Sequence, residues 1–160
     1  MDLHYQSPWF IEALEKEKNL KVNELNLDLN CDICIIGGGF TGLWTAIKIK
    51  EKKPNLSIVI IEKDLCGSGA SGRNGGCMIP QSTKFQGIRD IVGVNDAKKM
   101  VLSTEAAVKN IKDFCSENKI SAEIRDDGVL YGATNRFHQG AFENLIRDLN
   151  QHNINSWERL

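Results

Sequence analysis

Residues 37–42, Gly37-Gly38-Gly39-Phe40-Thr41-Gly42, have the spacing G-x-G-x-x-G, and Glu62 follows Gly42 by twenty residues. These residue types suit the holding of a diphosphate. Gly37 permits a tight turn, Gly39 lets the main chain approach a pyrophosphate, and Gly42 lets a helix pack close to a strand. Free N–H groups and the positive end of the helix dipole then favour the anion. A carboxylate at the end of the next strand can accept hydrogen bonds from ribose hydroxyls. It also disfavours a 2′-phosphate, which argues against NADP. NAD and FAD share the fingerprint, and the pattern alone does not separate them. The motif is weak in isolation, so its weight depends on the elements around it.

Those elements have the required order. CDICIIGGG ends a short apolar run in glycines, LWTAIKIKEKK has the pattern of a helix, and Pro54-Asn55 breaks it. LSIVIIEKD then forms a second strand rich in β-branched residues. Strand, glycine turn, helix and strand make a βαβ unit with parallel strands. Upstream, Ser7 as N-cap and Pro8 at the first helical position open a helix, WFIEALEKEK, and a polar stretch from Asn19 to Asn30 leads into the first strand. Downstream, Ala97, Met100, Val101, Val108, Ile111, Phe114 and Cys115 share one face of a long amphipathic helix over Asn95–Asn118. AEIRDDGVLYGAT predicts two short strands turning at Asp126-Asp127-Gly128. Phe137, Ala141, Phe142, Leu145, Ile146 and Leu149 predict a last helix.

A chain of 160 residues with 41% apolar and 26% charged residues has the balance of a globular protein. Its net charge of -1 gives no electrostatic reason to expect nucleic acid or an anionic membrane as partner. The first residues lack the pattern of a secretory signal and no apolar run reaches a membrane span, so a cytoplasmic protein is expected. Cys31, Cys34, Cys66, Cys77 and Cys115 resemble reduced thiols more than a disulfide framework. Cys31 and Cys34 form a C-x-x-C, but in a strand rather than at a helix start, and no second ligand cluster accompanies them. They are expected to be small buried hydrophobes, and no metal site is expected. His4, His138 and His152 have no partners at catalytic spacing, and the last two are expected to face solvent.

A second glycine run, Gly69-Ala70-Ser71-Gly72-Arg73-Asn74-Gly75-Gly76, follows the second strand. With the turn at Gly37–Gly42 and the strand end Ile61-Glu62-Lys63, it resembles the amino-terminal region of FAD-dependent oxidoreductases related to D-amino acid oxidase. The likeness is nearest to the branch of glycine oxidase, sarcosine oxidase and γ-glutamylputrescine oxidoreductase. Ser7-Pro8-Trp9 and Asp127-Gly128-Val129-Leu130 also resemble that branch, and residues 31–78 carry the densest similarity.

The resemblance implies an α/β fold, with a Rossmann-type FAD-binding βαβ unit and the start of a mixed α+β substrate domain. The divisions it suggests are 1–30 for the lead-in, 31–120 for the FAD-binding portion and 121–160 for the start of the substrate domain. FAD would be held by Gly37, Gly38, Gly39, Phe40, Thr41 and Gly42, by Glu62 and Lys63 at the strand end, and by Ser71, Arg73, Asn74, Gly75 and Gly76 along the loop. Arg73 would place charge near the phosphates or the reduced flavin, although a surface salt bridge is an equal alternative. Ser71 would offer a hydroxyl and Asn74 an amide. Cys77 and Met78 would lie close to the flavin, with ordinary packing favoured over a covalent link at Cys77.

The implied reaction oxidises the C–N bond of an amine or amino acid by hydride transfer to flavin N5. The imine then hydrolyses, and oxygen or another acceptor reoxidises the flavin. The implied partner is a small-molecule amine or amino acid. The chain is shorter than the resemblance leads one to expect, so a truncated form that lacks its later part is expected, and no catalytic residue is assigned. An NAD-binding dehydrogenase domain and a non-catalytic remnant are the alternative readings.

Overall fold

The computed structural model describes residues 6–17 and 24–159. His4 and part of the polar lead-in lie outside them. The chain divides into two compact units, Met1–Cys77 and Met78–Leu160.

The first unit is built on the expected βαβ order. Strand β1 (Ile33–Ile36) and strand β2 (Ile58–Ile61) pair in parallel, with Ile33 opposite Ile58 and Ile36 opposite Ile61. Helix α2 joins them; helix α1 (Pro8–Lys16) precedes the sheet and α2 runs Phe40–Lys52. Register is pinned at the start of the ladder by a reciprocal pair. Asp32 N–H donates to Ser57 Oγ at 3.0 Å, and Ser57 N–H donates to Asp32 Oδ2 at 2.7 Å. The ladder continues past β1, where Gly37 N–H donates to Ile61 O at 2.8 Å. Lys50 closes the return from α2 by donating to the carbonyls of Pro54 and Leu56 at 2.7 and 2.9 Å.

Helix α1 begins as its sequence predicts. Ser7 Oγ accepts from Phe10 N–H, and Pro8 sits at the first turn, where a missing donor costs nothing. Two cysteines differ from expectation. Cys31, ahead of β1, is half-buried, and Cys34, within β1, is exposed because the two-stranded sheet leaves side chains on one face of that strand without cover.

The second unit is helical. Helix α3 (Phe85–Val92) turns at Gly93 into helix α4 (Val94–Glu117), and helix α5 is Glu143–Gln151. Phe85, Ala97, Val101, Leu145, Leu149 and Ile154 form its buried core, with Ile88 and Trp157 packed against it. Helix α3 was not anticipated from sequence. Its eight residues include Gly87 and leave Ile91 84% exposed, so its apolar pattern is a poor guide to its buried face.

Two expected elements differ. Among the described residues, 121–134 contain no strand where a hairpin was expected. Two strands alone are marginal in water, and Lys112 of α4 instead holds Asp126 at the expected turn. The last helix also starts later than its apolar spacing suggests. Asn135 Oδ1 accepts from the N–H groups of Phe137 and His138 at 3.0 and 3.2 Å, which caps a short 3-10 turn before α5. Phe137 is left 98% exposed as a result.

Candidate nucleotide-binding site

The turn between β1 and α2 has the shape its glycines suggest. Gly37 sits at φ +105°, a conformation that side-chain-bearing residues rarely adopt. A Cβ on Gly42 would lie 2.0 Å from Gly37 O and 3.3 Å from Ile35 Cγ2. Only glycine allows α2 to start this close to the strand it follows.

At the start of α2, Gly39 is the N-cap position and provides no side-chain cap. Leu43 N–H returns to Gly39 O at 3.0 Å, and Phe40 N–H donates to Ser71 Oγ at 2.9 Å. Among the described residues, no acceptor faces the N–H groups of Gly39, Thr41 and Gly42. Three main-chain donors at the positive end of a thirteen-residue helix are the groups that a diphosphate takes up. The donor set therefore fits the pyrophosphate of a dinucleotide.

Glu62, just beyond β2, is brought to the same turn. Its Oε2 accepts from Gly38 N–H at 2.6 Å, and its Oε1 accepts from Asp64 N–H at 3.2 Å. The Gly38 bond, then the Asp64 bond, hold its carboxyl below the usual glutamate value of 4.5. An ionised carboxylate has lone pairs beyond those two donors and can accept from ribose hydroxyls. The carboxylate thus has two capacities: it braces the turn, and it can face a sugar.

The glycine run at 69–76 reaches the turn through one residue. Ser71, in the 3-10 turn Ala70–Gly72, supplies the hydroxyl that caps Phe40. A Cβ on Gly39 would lie 2.9 Å from that oxygen. The chain leading into the run is also tied to the turn, since Gly67 N–H donates to Gly38 O at 3.0 Å.

The other residues singled out from sequence are placed differently. Asn74 spends its amide within the loop: Nδ2 donates to Ser71 O at 2.6 Å, and Oδ1 accepts from Gly76 N–H at 2.8 Å. It shapes the loop rather than offering a free amide. Gly75 is exposed, as is Gly76, and Lys63 is exposed without a hydrogen bond of its own side chain to the turn. Arg73 is exposed, and among the described residues it has no ion pair, so the salt-bridge alternative finds no partner there. Cys77 and Met78 are exposed.

Outside the turn, the histidines divide. His138 is exposed, whereas His152 is half-buried, 3.5 Å from Asp148 and ring against ring with Phe85 at 5.5 Å. The expectation of a solvent-facing His152 is corrected by that packing. Sequence reasoning also missed that Asp148 is buried and paired with Arg89, 59 residues away. Long-range pairing of this kind leaves no local spacing to read. Two open hollows of about 430 Å³ and about 510 Å³ lie elsewhere, beside Lys112–Ile124 and along the outer face of α2 at Trp44 and Lys48. Among the described residues no three His, Cys, Asp or Glu side chains gather as metal ligands. No described helix is long and apolar enough to cross a membrane.

Comparison with known proteins follows the same residues. The family model of FAD dependent oxidoreductases (DAO) matches residues 32–160. The chain is 29% identical over 119 residues to γ-glutamylputrescine oxidoreductase of Escherichia coli (strain K12), covering 74% of this chain and 28% of that protein. It is 29% identical over 120 residues to the probable oxidoreductase OrdL of Rhizobium meliloti (strain 1021), covering 73% of this chain and 26% of that one. It is also 29% identical over 103 residues to L-2-hydroxyglutarate dehydrogenase of Indibacter alkaliphilus, covering 64% of this chain and 23% of that one. The chain thus spans about a quarter of the length of these curated relatives. No solved structure matches it. The family carries an FAD-binding Rossmann-like fold, to which the parallel βαβ unit conforms. Sequence, geometry and comparison meet on one conclusion: the chain belongs to the family of FAD-dependent oxidoreductases.

Proposed function

We propose that this chain supplies the FAD-binding amino-terminal part of an oxidoreductase that oxidises the C–N bond of an amine or amino acid. The observation that carries the cofactor reading is the β1–α2 turn, where three N–H groups without an acceptor among the described residues follow Gly38, whose own N–H is held by the Glu62 carboxylate. In a chain of this family, Gly39, Thr41 and Gly42 would donate to the pyrophosphate, with Gly37 and Gly38 shaping the approach and Phe40 heading α2. Glu62 would accept from the adenosine ribose. The 69–76 loop would run along the dinucleotide, with Ser71 holding it to α2 and Arg73 free to reach a phosphate. Bound FAD supplies the acceptor for the two electrons and the hydrogen that leave the substrate carbon.

The protein's own contribution is to orient and to bind. Fixed main-chain donors need no reorganisation when the anion arrives, and the Glu62 carboxylate is already ionised at neutral pH. The similarity to γ-glutamylputrescine oxidoreductase supports an amine as substrate. The similarity to L-2-hydroxyglutarate dehydrogenase supports a second reading, in which a 2-hydroxy acid is oxidised at carbon–oxygen instead.

Two measurements test these readings. The purified chain titrated with FAD is expected to quench flavin fluorescence and gain thermal stability, while NAD does neither; stabilisation by NAD alone would overturn the cofactor assignment. In the protein that carries this chain, dye reduction driven by amines and not by 2-hydroxy acids is expected. The reverse preference would select the second reading.

A further inference from the structure

The 69–76 loop is gripped from behind by the start of α1. Three side chains converge on one residue, Gly72. Ser7 Oγ donates to Gly72 O, and Trp9 Nε1 donates to the same carbonyl at 3.0 Å. The Phe10 ring covers the glycines: a Cβ on Gly72 would lie 3.0 Å from Phe10 Cδ2 and 2.3 Å from Gly67 O. Ser7 meanwhile caps α1 by accepting from Phe10 N–H at 3.3 Å. Its hydroxyl therefore serves two functions, as acceptor for the helix and as donor to the loop.

This contact continues toward the nucleotide turn. Gly72 adjoins Ser71, whose hydroxyl caps Phe40 at the head of α2. The path runs from Ser7 and Trp9 to Gly72, to Ser71, to the first N–H of α2. A carbonyl with two lone pairs takes both donors at once, so the peptide between Gly72 and Arg73 has a fixed plane. Fixing that plane fixes where the Ser71 hydroxyl and the Arg73 side chain start from. Without it, the run has four glycines in eight residues and a wide choice of backbone conformations.

We infer that Ser7, Trp9 and Phe10 are positioning residues, which hold the 67–76 loop in the conformation that closes one side of the nucleotide turn. The inference rests on the FAD reading for what the loop closes over, but the latch itself is a property of the free chain. Ordering the loop in advance removes an entropic cost that a ligand would otherwise meet on binding.

The test uses the whole 160-residue chain with two readouts. One is the rate at which trypsin cuts the Arg73–Asn74 bond in the absence of FAD, followed by mass spectrometry. The other is the dissociation constant for FAD. Trp9→Phe keeps the ring and the Ser7 cap while removing one donor, so faster cleavage and roughly fivefold weaker FAD binding are expected, the equivalent of one net hydrogen bond. Ser7→Ala is expected to act in the same direction, and Ser7→Thr, which restores the hydroxyl, to return both readouts to the original values. Far-ultraviolet circular dichroism of each variant separates loss of the latch from loss of fold.

Unchanged cleavage in Trp9→Phe overturns the latch. Faster cleavage with unchanged FAD affinity overturns its role at the nucleotide turn. If the unmutated chain binds no FAD while the variants are still cut faster, the cofactor reading and the role at the nucleotide turn fall and the latch stands.

Discussion

The two units hold their shapes by different means. In the unit Met78–Leu160, six apolar side chains among the described residues are buried, and Phe85, Ala97, Val101 and Leu149 have no exposed surface at all. In the unit Met1–Cys77, no apolar side chain among the described residues is buried, and the buried positions are Gly38 and Ser68. The helical unit follows the usual rule that apolar area removed from water drives packing. The βαβ unit is instead defined around its turn by contacts made on the main chain, from other main chain and from polar side chains. Gly42 sits on Gly37 O, Gly67 donates to Gly38 O, and the Ser7 and Trp9 side chains grip Gly72 O. The phosphate-binding role proposed for this turn needs exposed N–H groups, and an apolar core cannot supply them. The difference teaches that one unit is shaped by backbone contacts that leave donors open and the other by burial.

That contrast can be broken in order of expected effect. Gly42→Val places a branched side chain on a carbonyl with no flexible neighbour to yield, and a cost on the order of 4 kcal/mol is expected, with complete loss of FAD binding. Denaturant unfolding and flavin titration read both; a variant that folds and binds normally would show that backbone proximity does not define the turn. Leu149→Ala leaves a void in a fully buried site and is expected to cost about 3 kcal/mol, seen as a lower unfolding midpoint. A cost under about 1 kcal/mol would mean the helical unit does not depend on its side-chain core.

The smallest effect is expected at Glu62, which is only partly covered and so screened by solvent. Its carboxyl is held below 4.5 in the folded chain by the Gly38 N–H and then the Asp64 N–H. The ionised form is therefore favoured by folding. That stability is fully present above the unfolded value and is lost as pH falls through the lower folded value. Glu62→Gln is expected to flatten the acid limb of a melting-temperature profile and to leave the profile above pH 6 parallel to the original. An acid limb identical in the two proteins would show that Glu62 does not brace the turn.

Much of the first unit was legible because its signals are local. A β-branched run, a glycine turn at fixed spacing and a second run ending in an acid specify a βαβ unit without reference to anything distant. Ser7 and Pro8 likewise announced α1 from adjacent residues. Legibility failed where a residue type admits several partners, near or far in the chain, and only the folded backbone selects among them. Asn74 has the residue type of a ligand-binding amide, yet the loop's own backbone uses both ends of it. His152 looked like a surface residue until Phe85 and Asp148 were found beside it. The hairpin expected near Asp126 had the right turn residues, but turn chemistry alone does not hold two strands together.

By itself, the sequence determined the strand–helix–strand order of the first unit, the position of the glycine turn and the acid that follows it, because each depends on backbone conformations encoded over a few residues. Tertiary structure alone decided that Glu62 meets Gly38, that Ser71 caps α2, and that Ser7 and Trp9 share the Gly72 carbonyl. These contacts join residues separated by 24, 31, 65 and 63 positions. The physical reason is that a hydroxyl or a carboxylate has many possible partners in an unfolded chain, and only packing selects one.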